Sequence, residues 1–319
     1  MTTAIMVTNT ASVEVGNFRA SLVEDWLNFN ADKAAATVKT YSKAVGYFVK
    51  WLADNNIANP TRQDIINYRQ HLVETKKIAT ARLYTVAVKT MFKWAASNGL
   101  CLNVAEGVKT PSLDEEADTH SREALTLSEA RKVLSSFNGR YDEKSLRDAL
   151  IMRIMLNCAL RSVEIVRLDA TDIEHRHGKH FLKVWGKGRK GKTARVEISK
   201  TIYNQLLDYL NARGSKREKG EPMFVSTARR NFGQRLQTQT ISKLAKATFR
   251  SVGIDSETIT CHSCRHFTCN QLLIEGADIE SCRRLLRHKN VSTTNIYRHD
   301  IQRATDNSVQ ILSDLLDVA

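Results

Sequence analysis

Proline and glycine are scarce in this sequence: three prolines and 14 glycines occur among 319 residues. Both residue types interrupt helices, so their scarcity favours a mostly helical protein over one built from short strands and turns. Long apolar runs are lacking too, and the N-terminus has no signal-peptide pattern. These absences argue against a membrane-spanning chain and predict a cytoplasmic protein.

A second Cys-x-x-Cys pair is also lacking. Cys261, Cys264, His266 and Cys269 are spaced closely enough to suggest zinc ligands, but structural zinc sites normally draw on a second, separated pair. The segment also has the pattern of one continuous helix. We therefore predict no metal site, and cysteines that stay reduced as in most cytosolic proteins.

Positive charge, by contrast, is in excess. The formal net charge is +14, and 42% of the residues are hydrophobic, so the chain is globular rather than disordered. A globular protein this basic suggests a polyanionic partner, most often nucleic acid, and hence a nucleoid-associated location. Charge alone leaves open the alternative of a merely basic soluble protein.

Helical periodicity organises the first half of the chain. After a polar stretch, 1–17, which is predicted to be a flexible tail, residues 18–112 predict a compact domain of four helices. Thr61 and Asp64 form a capping-box pattern at the start of the third helix. An acidic run then predicts an interdomain linker over 113–123.

The second half, residues 124–319, mixes helices with short strands. Three stretches predict strands, the last two forming a hairpin around a turn rich in glycine and lysine; they are Leu168–Ile173, His180–Trp185 and Thr193–Ile198. The end of the chain, 306–318, predicts an amphipathic helix. The predicted fold class is therefore mainly α: a helical domain, then a mixed, mostly helical domain with a small three-stranded antiparallel sheet.

Five separated elements of the second half carry side chains suited to phosphate chemistry. In chain order they are Arg161, a lysine in the hairpin turn, His262-x-x-Arg265, His288 and Tyr297. Each alone has an ordinary explanation, since an arginine near a helix end often forms an ion pair and a histidine or tyrosine on a helix often packs. Their order and spacing together are hard to explain by chance.

The set closely resembles the tyrosine recombinase, or phage integrase, family over nearly the whole chain. Four segments of the second half match family motifs: Cys158-Ala-Leu-Arg-Ser-Val-Glu-Ile (T-G-L-R-x-x-E-like), Gly186-Lys-Gly-Arg-Lys (β-hairpin lysine), His262-Ser-Cys-Arg-His-Phe (H-x-L-R-H), and Leu286-Arg-His288 through Tyr297 (L-G-H…Y). In the first half, residues 37–51 and 103–111 look like its SAM-like core-binding domain and linker. The resemblance implies a DNA-binding domain over 18–112 and a catalytic domain over 124–319.

The resemblance implies how these residues bind a phosphodiester. Arg161 and Arg265 offer planar forks to the non-bridging oxygens, and His288 adds a third donor. Glu164 orients Arg161. Tyr297 attacks the phosphorus and becomes a 3′-phosphotyrosine.

Proton transfer falls, by the same resemblance, to two other residues. Lys187 is the general acid for the 5′-oxygen, and His262 accepts the proton of the incoming hydroxyl. Lys190 and Lys192 lie in the same turn as Lys187, so the register of the hairpin decides among the three.

No acidic cluster with metal-ligand spacing accompanies these residues, so we predict no metal requirement. Because the covalent intermediate conserves bond energy, we also predict no need for ATP or any other cofactor. The resemblance implies double-stranded DNA recombination sites as partners and a homo-tetramer in the synaptic complex, in which the C-terminal helix docks on a neighbouring subunit. The stretch before Asn17 is too short for an arm-binding domain, which favours the simple Xer, Cre or integron type.

The sequence departs from the family pattern at three positions. Ala159 and Arg287 replace glycines, and Val104 replaces a proline. If the family glycines have positive φ, each replacement costs about 1 kcal/mol of local strain. No chemical group is lost.

Two other functions stay open. A type IB topoisomerase has nearly the same chemistry without synapsis, and a catalytically silent architectural protein would bind DNA without cutting it. Candidate DNA contacts lie on the polar faces of the second and fourth predicted helices, where a solvated face is the alternative; they are Lys39, Lys43, Arg82 and Lys89.

Overall fold

The structure is a computed structural model, and it describes residues 15–112, 123–186 and 191–288, together with Thr294, Ser313, Asp314 and Leu316. The chain divides into two compact units, Met1–Asp118 and Thr119–Ala319. The finer domain limits at residues 17, 112 and 123 stay predictions. Within the described ranges, no helix is long and apolar enough to cross a membrane.

The first unit is a helical domain around an aromatic core. Its described helices are α1 (Val15–Phe29), α2 (Ala35–Asp54), α3 (Arg62–Thr75) and α4 (Ile78–Ser97). Trp26, Phe48 and Tyr68 are almost fully buried, and the Phe48 and Tyr68 rings meet edge to face. The predicted capping box is present, since the Thr61 amide donates to the Asp64 carboxylate at 2.7 Å and the Asp64 amide donates to the Thr61 hydroxyl at 3.4 Å.

The second unit is built around one apolar helix. Its helices are α5 (Leu127–Ser135), α6 (Glu143–Cys158), α7 (Ser162–Val166), α8 (Lys200–Ala212), α9 (Thr238–Ser251), α10 (Cys261–Ile274) and α11 (Ile279–Leu286). α6 is the central one, because Ile151, Met152 and Ile154 on successive sides of it are all fully buried. Several faces of α6 are thus covered, and α5, α8, α9 and α10 pack against it.

A three-stranded antiparallel sheet covers part of this core. The strands are β1 (Ile173–Arg176), β2 (Lys179–Val184) and β3 (Ala194–Ile198), in the order β1-β2-β3. Leu182 pairs with Val196 across β2 and β3, and both side chains are buried. The predicted fold class, mainly α with a small antiparallel sheet, is confirmed.

The first predicted strand, Leu168–Ile173, is wrong. Ala170–Asp172 form a 3-10 helix, and β1 begins only at Ile173. The Asp169 amide donates to the Asp172 carboxylate at 2.7 Å. Such local bonds between backbone and side chain compete with strand pairing and favour a turn.

A small apolar cluster joins the ends of three helices. Ala159, Cys269, Cys282 and Leu286 are all fully buried and pack together. Ala159 directly follows α6, Cys269 lies in the second half of α10, and Cys282 and Leu286 lie in the middle and at the end of α11. The C-terminal ends of α6 and α11 therefore meet, and the candidate site is built where they meet.

The predicted C-terminal helix, 306–318, lies outside the described residues except for Ser313, Asp314 and Leu316. The predicted flexible tail, 1–17, likewise lies almost entirely outside them.

Candidate active site

Two helices of the second unit end in the left-handed conformation, directly before candidate site residues. α6 ends at Ala159, with φ 50° and ψ 35°, and α11 ends at Arg287, with φ 55° and ψ 42°. These are the two positions where the family pattern has glycine, so the condition for local strain of about 1 kcal/mol at each is met. The turn at Ala159 leads into Arg161, and the turn at Arg287 leads into His288.

Arg161 is held by a buried carboxylate. Its Nη1 donates to Glu164 Oε1 at 3.0 Å, and its backbone N–H donates to Glu164 Oε2 at 2.8 Å. The Glu164 side chain is fully buried, whereas a fifth of the Arg161 side chain is exposed. Within the described part of the chain, Glu164 is the only acceptor bound by the Arg161 guanidinium. Its other N–H groups are therefore available to a phosphate.

A second guanidinium reaches the same carboxylate. Arg287 Nη2 donates to Glu164 Oε2 at 2.7 Å and to the Ala159 carbonyl oxygen at 3.1 Å. Burial opposes ionisation of Glu164, but the charge and hydrogen bond of Arg287, together with those of Arg161, outweigh it and hold the pKa of Glu164 below its usual range. Glu164 is therefore an ionised carboxylate at neutral pH, flanked by two cations.

Arg265, on α10, joins the two left-handed helix ends. Its Nη1 donates to the Ala159 carbonyl oxygen at 2.5 Å, and its Nη2 donates to the Leu286 carbonyl oxygen. The last carbonyls of a helix lack intrahelical partners and carry partial negative charge, so a guanidinium satisfies both ends at once. Because Arg265 is 5% exposed and held at two points, its position is fixed before any substrate binds.

His288 lies in the field of several arginines. Burial lowers the pKa of His288 to about 3, with help from four cationic side chains, which are Arg265, Arg161, Arg287 and Arg283. The imidazole is therefore neutral at physiological pH. Its Nδ1 lies 2.9 Å from the hydroxyl of the buried Thr294. With that hydroxyl donating to Nδ1, Nε2 carries the ring proton and can donate it to a phosphate oxygen.

His262 lies one turn before Arg265 on α10. Its amide donates to the Thr260 hydroxyl at 3.3 Å, and its Nδ1 lies 3.7 Å from Cys261 Sγ. The side chain is half-buried. Residues three apart share one face of a helix, so His262 and Arg265 project towards the same side.

The hairpin lysines divide into one that is described and two that are not. Lys192 Nζ forms ion pairs with Asp169 Oδ2 at 2.5 Å and with Asp172. Because two carboxylates hold the Lys192 ammonium in place, it does not extend towards a bound DNA strand, and Lys192 does not fit the general acid. Lys187 and Lys190 lie outside the described residues, as does Tyr297, and their roles stay predictions.

Comparison with known proteins identifies the family. Residues 123–303 match the sequence model described as "Phage integrase family", and residues 22–100 match that described as "Phage integrase, N-terminal SAM-like domain". The chain belongs to the phage integrase family. The resemblance inferred from the motifs is thereby confirmed.

Curated relatives of this chain are named tyrosine recombinases. XerD of Listeria monocytogenes is 28% identical over 87% of this chain and 93% of its own. XerC of Caldanaerobacter subterraneus is 31% identical over 55% of this chain and 46% of its own, and XerA of Pyrococcus horikoshii is 32% identical over 60% and 61%. This chain therefore spans less than two thirds of the XerC and XerA relatives.

Solved structures share the fold of this chain. A XerH recombinase bound to a palindromic difH substrate, in a post-cleavage complex, has a TM-score of 0.75 at 18% identity, covering 96% of this chain and 91% of that one. A lambda integrase tetramer bound to a Holliday junction has a TM-score of 0.65 at 15% identity, covering 91% and 81%. At these identities the likeness establishes the fold.

Two arginines that the structure places at the site have no role in the sequence-based prediction. Arg283 Nη1 donates to the His288 carbonyl oxygen at 2.8 Å, and Arg287 binds Glu164. Glu164 and Arg287 are 123 residues apart, so no local pattern pairs them. The one available signal was the replacement of a family glycine by a charged residue.

The candidate zinc ligands all lie on α10. The cysteines among them are buried free thiols, and burial raises the pKa of Cys264 and Cys269. Among the described residues, no group of three or more His, Cys, Asp or Glu side chains could hold a metal ion. Here the cysteines act as small apolar side chains.

The candidate DNA contacts of the first unit fall into two pairs. Arg82 Nη1 donates to the Pro111 carbonyl oxygen at 3.1 Å, and Lys89 Nζ donates to the Val108 carbonyl oxygen. Both therefore hold the segment that follows α4 against that helix. Lys39 and Lys43, in contrast, are exposed on α2. No described contact tests whether any of the four meets DNA.

Proposed function

We propose that the protein is a site-specific DNA recombinase, which cuts and rejoins duplex DNA without a metal ion or ATP. The observation that carries this proposal is the cluster of Arg161, Arg265 and the neutral His288 around two helix ends, in a chain of the phage integrase family. Three fixed donors suit a pentacoordinate phosphorus, because they stabilise the negative charge that grows on its non-bridging oxygens. The proposal also rests on relatives named tyrosine recombinases.

In the cleavage step, the Tyr297 Oη–phosphorus bond forms and the phosphorus–O5′ bond breaks. The leaving O5′ takes a proton from Lys187, and the tyrosine proton passes to His262. The products are a 3′-phosphotyrosine and a free 5′-hydroxyl. No oxidant, reductant or nucleotide enters the balance.

Rejoining reverses these bonds on another strand. Between the two steps, Lys187 and His262 exchange protons with solvent. A 5′-hydroxyl from the partner duplex then attacks the phosphotyrosine, His262 accepts its proton, and the leaving Tyr297 oxygen takes a proton from solvent to become the phenol. Exchange of one strand pair in this way gives a Holliday junction, and exchange of the second pair resolves it. The guanidinium groups of Arg161 and Arg265 stabilise both cleavage and rejoining, because both steps pass through a pentacoordinate phosphorus with negative charge on its non-bridging oxygens.

The partners we propose are double-stranded DNA recombination sites and three further copies of the same chain. A solved lambda integrase is a tetramer bound to a Holliday junction, which supports a homo-tetramer for the synaptic complex of this protein. We also propose a cytoplasmic, nucleoid-associated location, since the net charge is +14 and the substrate is DNA.

The test begins by recovering the DNA target. DNA trapped covalently on the protein in its native host is sequenced, and the recovered site is placed in a nicked suicide duplex, on which cleavage cannot be reversed. We expect the wild type to form a covalent protein–DNA adduct and Tyr297→Phe to bind the duplex without forming one. An adduct of undiminished yield from Tyr297→Phe contradicts the assignment of the nucleophile.

A second measurement separates recombination from its alternatives. We expect joint molecules only when two recovered sites are present. Relaxation of any supercoiled plasmid, with no need for such a site, identifies a topoisomerase. Binding with no adduct on any nicked duplex identifies an architectural protein.

A further inference from the structure

Arg287 occupies a position that does not favour a long side chain. It ends α11 with φ 55°, in the left-handed region where glycine has no steric penalty. Its side chain is nevertheless 10% exposed, and its Nη1 donates to the Leu285 carbonyl oxygen at 2.7 Å. An arginine that merely tolerated this position would extend into solvent.

The guanidinium of Arg287 donates to the carboxylate of Glu164, which also binds Arg161. Glu164 Oε1 accepts from Arg161 Nη1 at 3.0 Å, while Oε2 accepts from Arg287 Nη2 at 2.7 Å. Each oxygen thus meets a different guanidinium. Oε2 also accepts from the Arg161 backbone N–H at 2.8 Å. The backbone amide and Arg287 together occupy this oxygen, so only Oε1 binds the Arg161 guanidinium, in place of the bidentate geometry of an isolated carboxylate–arginine pair.

The charge balance of the three side chains follows from this geometry. A pair of Arg161 and Glu164 is neutral, and a neutral pair attracts a phosphodiester anion only weakly. With Arg287 on the second oxygen, the three groups together carry one net positive charge. They lie in a buried setting, where a net charge acts over several ångströms with little screening.

We propose that Arg287 is a positioning residue for DNA cleavage: it binds the second oxygen of Glu164, so that Glu164 orients Arg161 without neutralising it. This inference rests on the proposed function, because the anion it serves is the scissile phosphate. Arg287 contacts Glu164 and backbone carbonyls, and it acts on the substrate through Arg161.

A purely structural role predicts something different. In that case Arg287 only compensates the buried charge of Glu164, and its removal lowers stability while leaving the cleavage rate of the folded protein intact. The two roles are separated by measuring the rate of adduct formation in a single turnover, at protein concentrations that saturate the suicide duplex.

The decisive variant is Arg287→Gly, and the chain offers a matched control. Arg217 also has φ 55°, is exposed, and donates to Asn211 Oδ1 at 2.7 Å. Arg217→Gly therefore makes the same chemical change at the same backbone angle, away from the candidate site. We expect Arg287→Gly to bind the duplex like the wild type and to form the adduct about ten- to a hundredfold more slowly, whereas Arg217→Gly keeps the wild-type rate.

Two further variants keep the test decisive if Arg287→Gly does not fold. Arg287→Gln keeps most of the length but not the charge, and we expect the same loss as for glycine. Arg287→Lys keeps the charge, but a single ammonium replaces the guanidinium that binds both Glu164 and the Ala159 carbonyl. We therefore expect a smaller loss of cleavage rate than for glycine or glutamine. Wild-type rates in both Arg287→Gln and Arg287→Lys overturn the inference.

A double-mutant cycle identifies the residue through which Arg287 acts. In a Glu164→Gln background there is no carboxylate to share, so we expect Arg287→Gly to change the rate less than about threefold. An equal loss in both backgrounds shows that Arg287 acts independently of Glu164 and overturns the inference.

Failure of this inference is distinct from failure of the proposed function. If the wild type forms an adduct and Arg287→Gly forms it at the same rate, only the role of Arg287 is rejected. If the wild type forms no adduct on the recovered site, the proposed function is rejected and this inference falls with it.

Discussion

At the scale of single residues, the two candidate phosphate-binding arginines differ in what already holds them. Arg161 has one carboxylate partner and is partly exposed, whereas Arg265 is buried and spans two carbonyls. We therefore expect Arg161→Lys and Arg265→Lys to share a loss of cleavage rate but to differ in thermal stability. Both should slow adduct formation by about a hundredfold or more, because an ammonium cannot replace the bidentate fork.

Their difference should appear in thermal stability. A lysine cannot span both carbonyls. Ala159 keeps the bond from Arg287, but the structure describes no second donor to Leu286, and an unpaired buried carbonyl costs about 1–3 kcal/mol. Arg161→Lys leaves the backbone bonds in place and should melt near the wild type. Arg250→Lys is the control, since Arg250 forms an exposed ion pair with Asp255. Near-normal cleavage in both site variants would show that these are the wrong arginines.

The lowered pKa of His288 predicts how the stability of the protein depends on pH. This pKa is about 3 in the folded protein, against 6.5 for an unperturbed histidine. Between these values the unfolded chain binds more protons than the folded chain, so the free energy of unfolding falls as the pH drops below about 6.5. From about pH 7.5 to pH 5 this contribution amounts to at most about 2 kcal/mol.

Urea unfolding of the wild type and His288→Gln at these two pH values measures the effect. The wild type should lose more stability than His288→Gln on acidification. His177→Gln, at an exposed turn, should behave like the wild type. Equal losses in all three proteins would mean that His288 is protonated in the folded state.

At the scale of elements, the sequence predicts best where a signal is local. The capping box predicted at Thr61 involves residues three apart, and it is present. The strand predicted at Leu168–Ile173 failed because the Asp169 amide and the Asp172 carboxylate form a local turn, and a strand prediction does not weigh that competition.

The candidate site shows the same limit. The family motifs predict that Arg161, Arg265 and His288 belong to the site. They do not predict the hydrogen bonds that join this site across more than a hundred residues of sequence. Arg265 reaches a carbonyl 106 residues away, and Arg287 reaches a carboxylate 123 residues away. Only the meeting of α6 and α11 over a shared apolar cluster creates these pairs, and one sequence alone does not encode that meeting in any short pattern.

The N-terminal cap of helix α11 should affect the stability of the protein but not its cleavage rate. Asp278 caps it by accepting from the Ser281 amide at 2.8 Å. Asp278→Ala should lower the free energy of unfolding by about 1 kcal/mol, whereas Asp278→Asn, which keeps the acceptor, should lower it by only a few tenths. The cleavage rate of folded Asp278→Ala should equal the wild-type rate, because the buried Cys282 and Leu286 keep the end of α11 packed. A tenfold slower rate would place the cap among the groups that set site geometry.

At the scale of the whole molecule, the excess positive charge should govern DNA affinity. Lys39 and Lys43 are exposed, so their replacement by alanine should flatten the dependence of log affinity on log salt by about 0.9 for each DNA phosphate that a lysine no longer neutralises. Stability should not change. Lys216→Ala with Lys219→Ala removes the same charge from an exposed loop of the second unit and should leave the slope unaltered. An unchanged slope in the Lys39 and Lys43 double variant would place the DNA elsewhere.

Arg82 and Lys89 should behave differently from this pair. Because they hold the Pro111 and Val108 carbonyls, their replacement should loosen the segment after α4. Hydrogen exchange of residues 103–112 should then rise in Arg82→Ala and Lys89→Ala, whatever happens to the salt slope.

The last prediction concerns assembly of the proposed tetramer. Residues after Gln302 carry an apolar stripe at helical spacing that includes Leu312, Leu315 and Leu316, and such a stripe requires a partner surface. Leu316, the one of these three that the structure describes, is 76% exposed. We therefore expect deletion after Gln302 to spare binding to a single site and to abolish synapsis and strand exchange, because a head-to-tail exchange of this helix closes a ring of subunits.

Replacing the three leucines by serine should have the same effect without shortening the chain. Gel-shift titration with one site, and joint-molecule formation with two, measure both properties. A truncated protein that is insoluble or cannot bind one site would place the helix in its own domain, and normal recombination would show that the tail is dispensable.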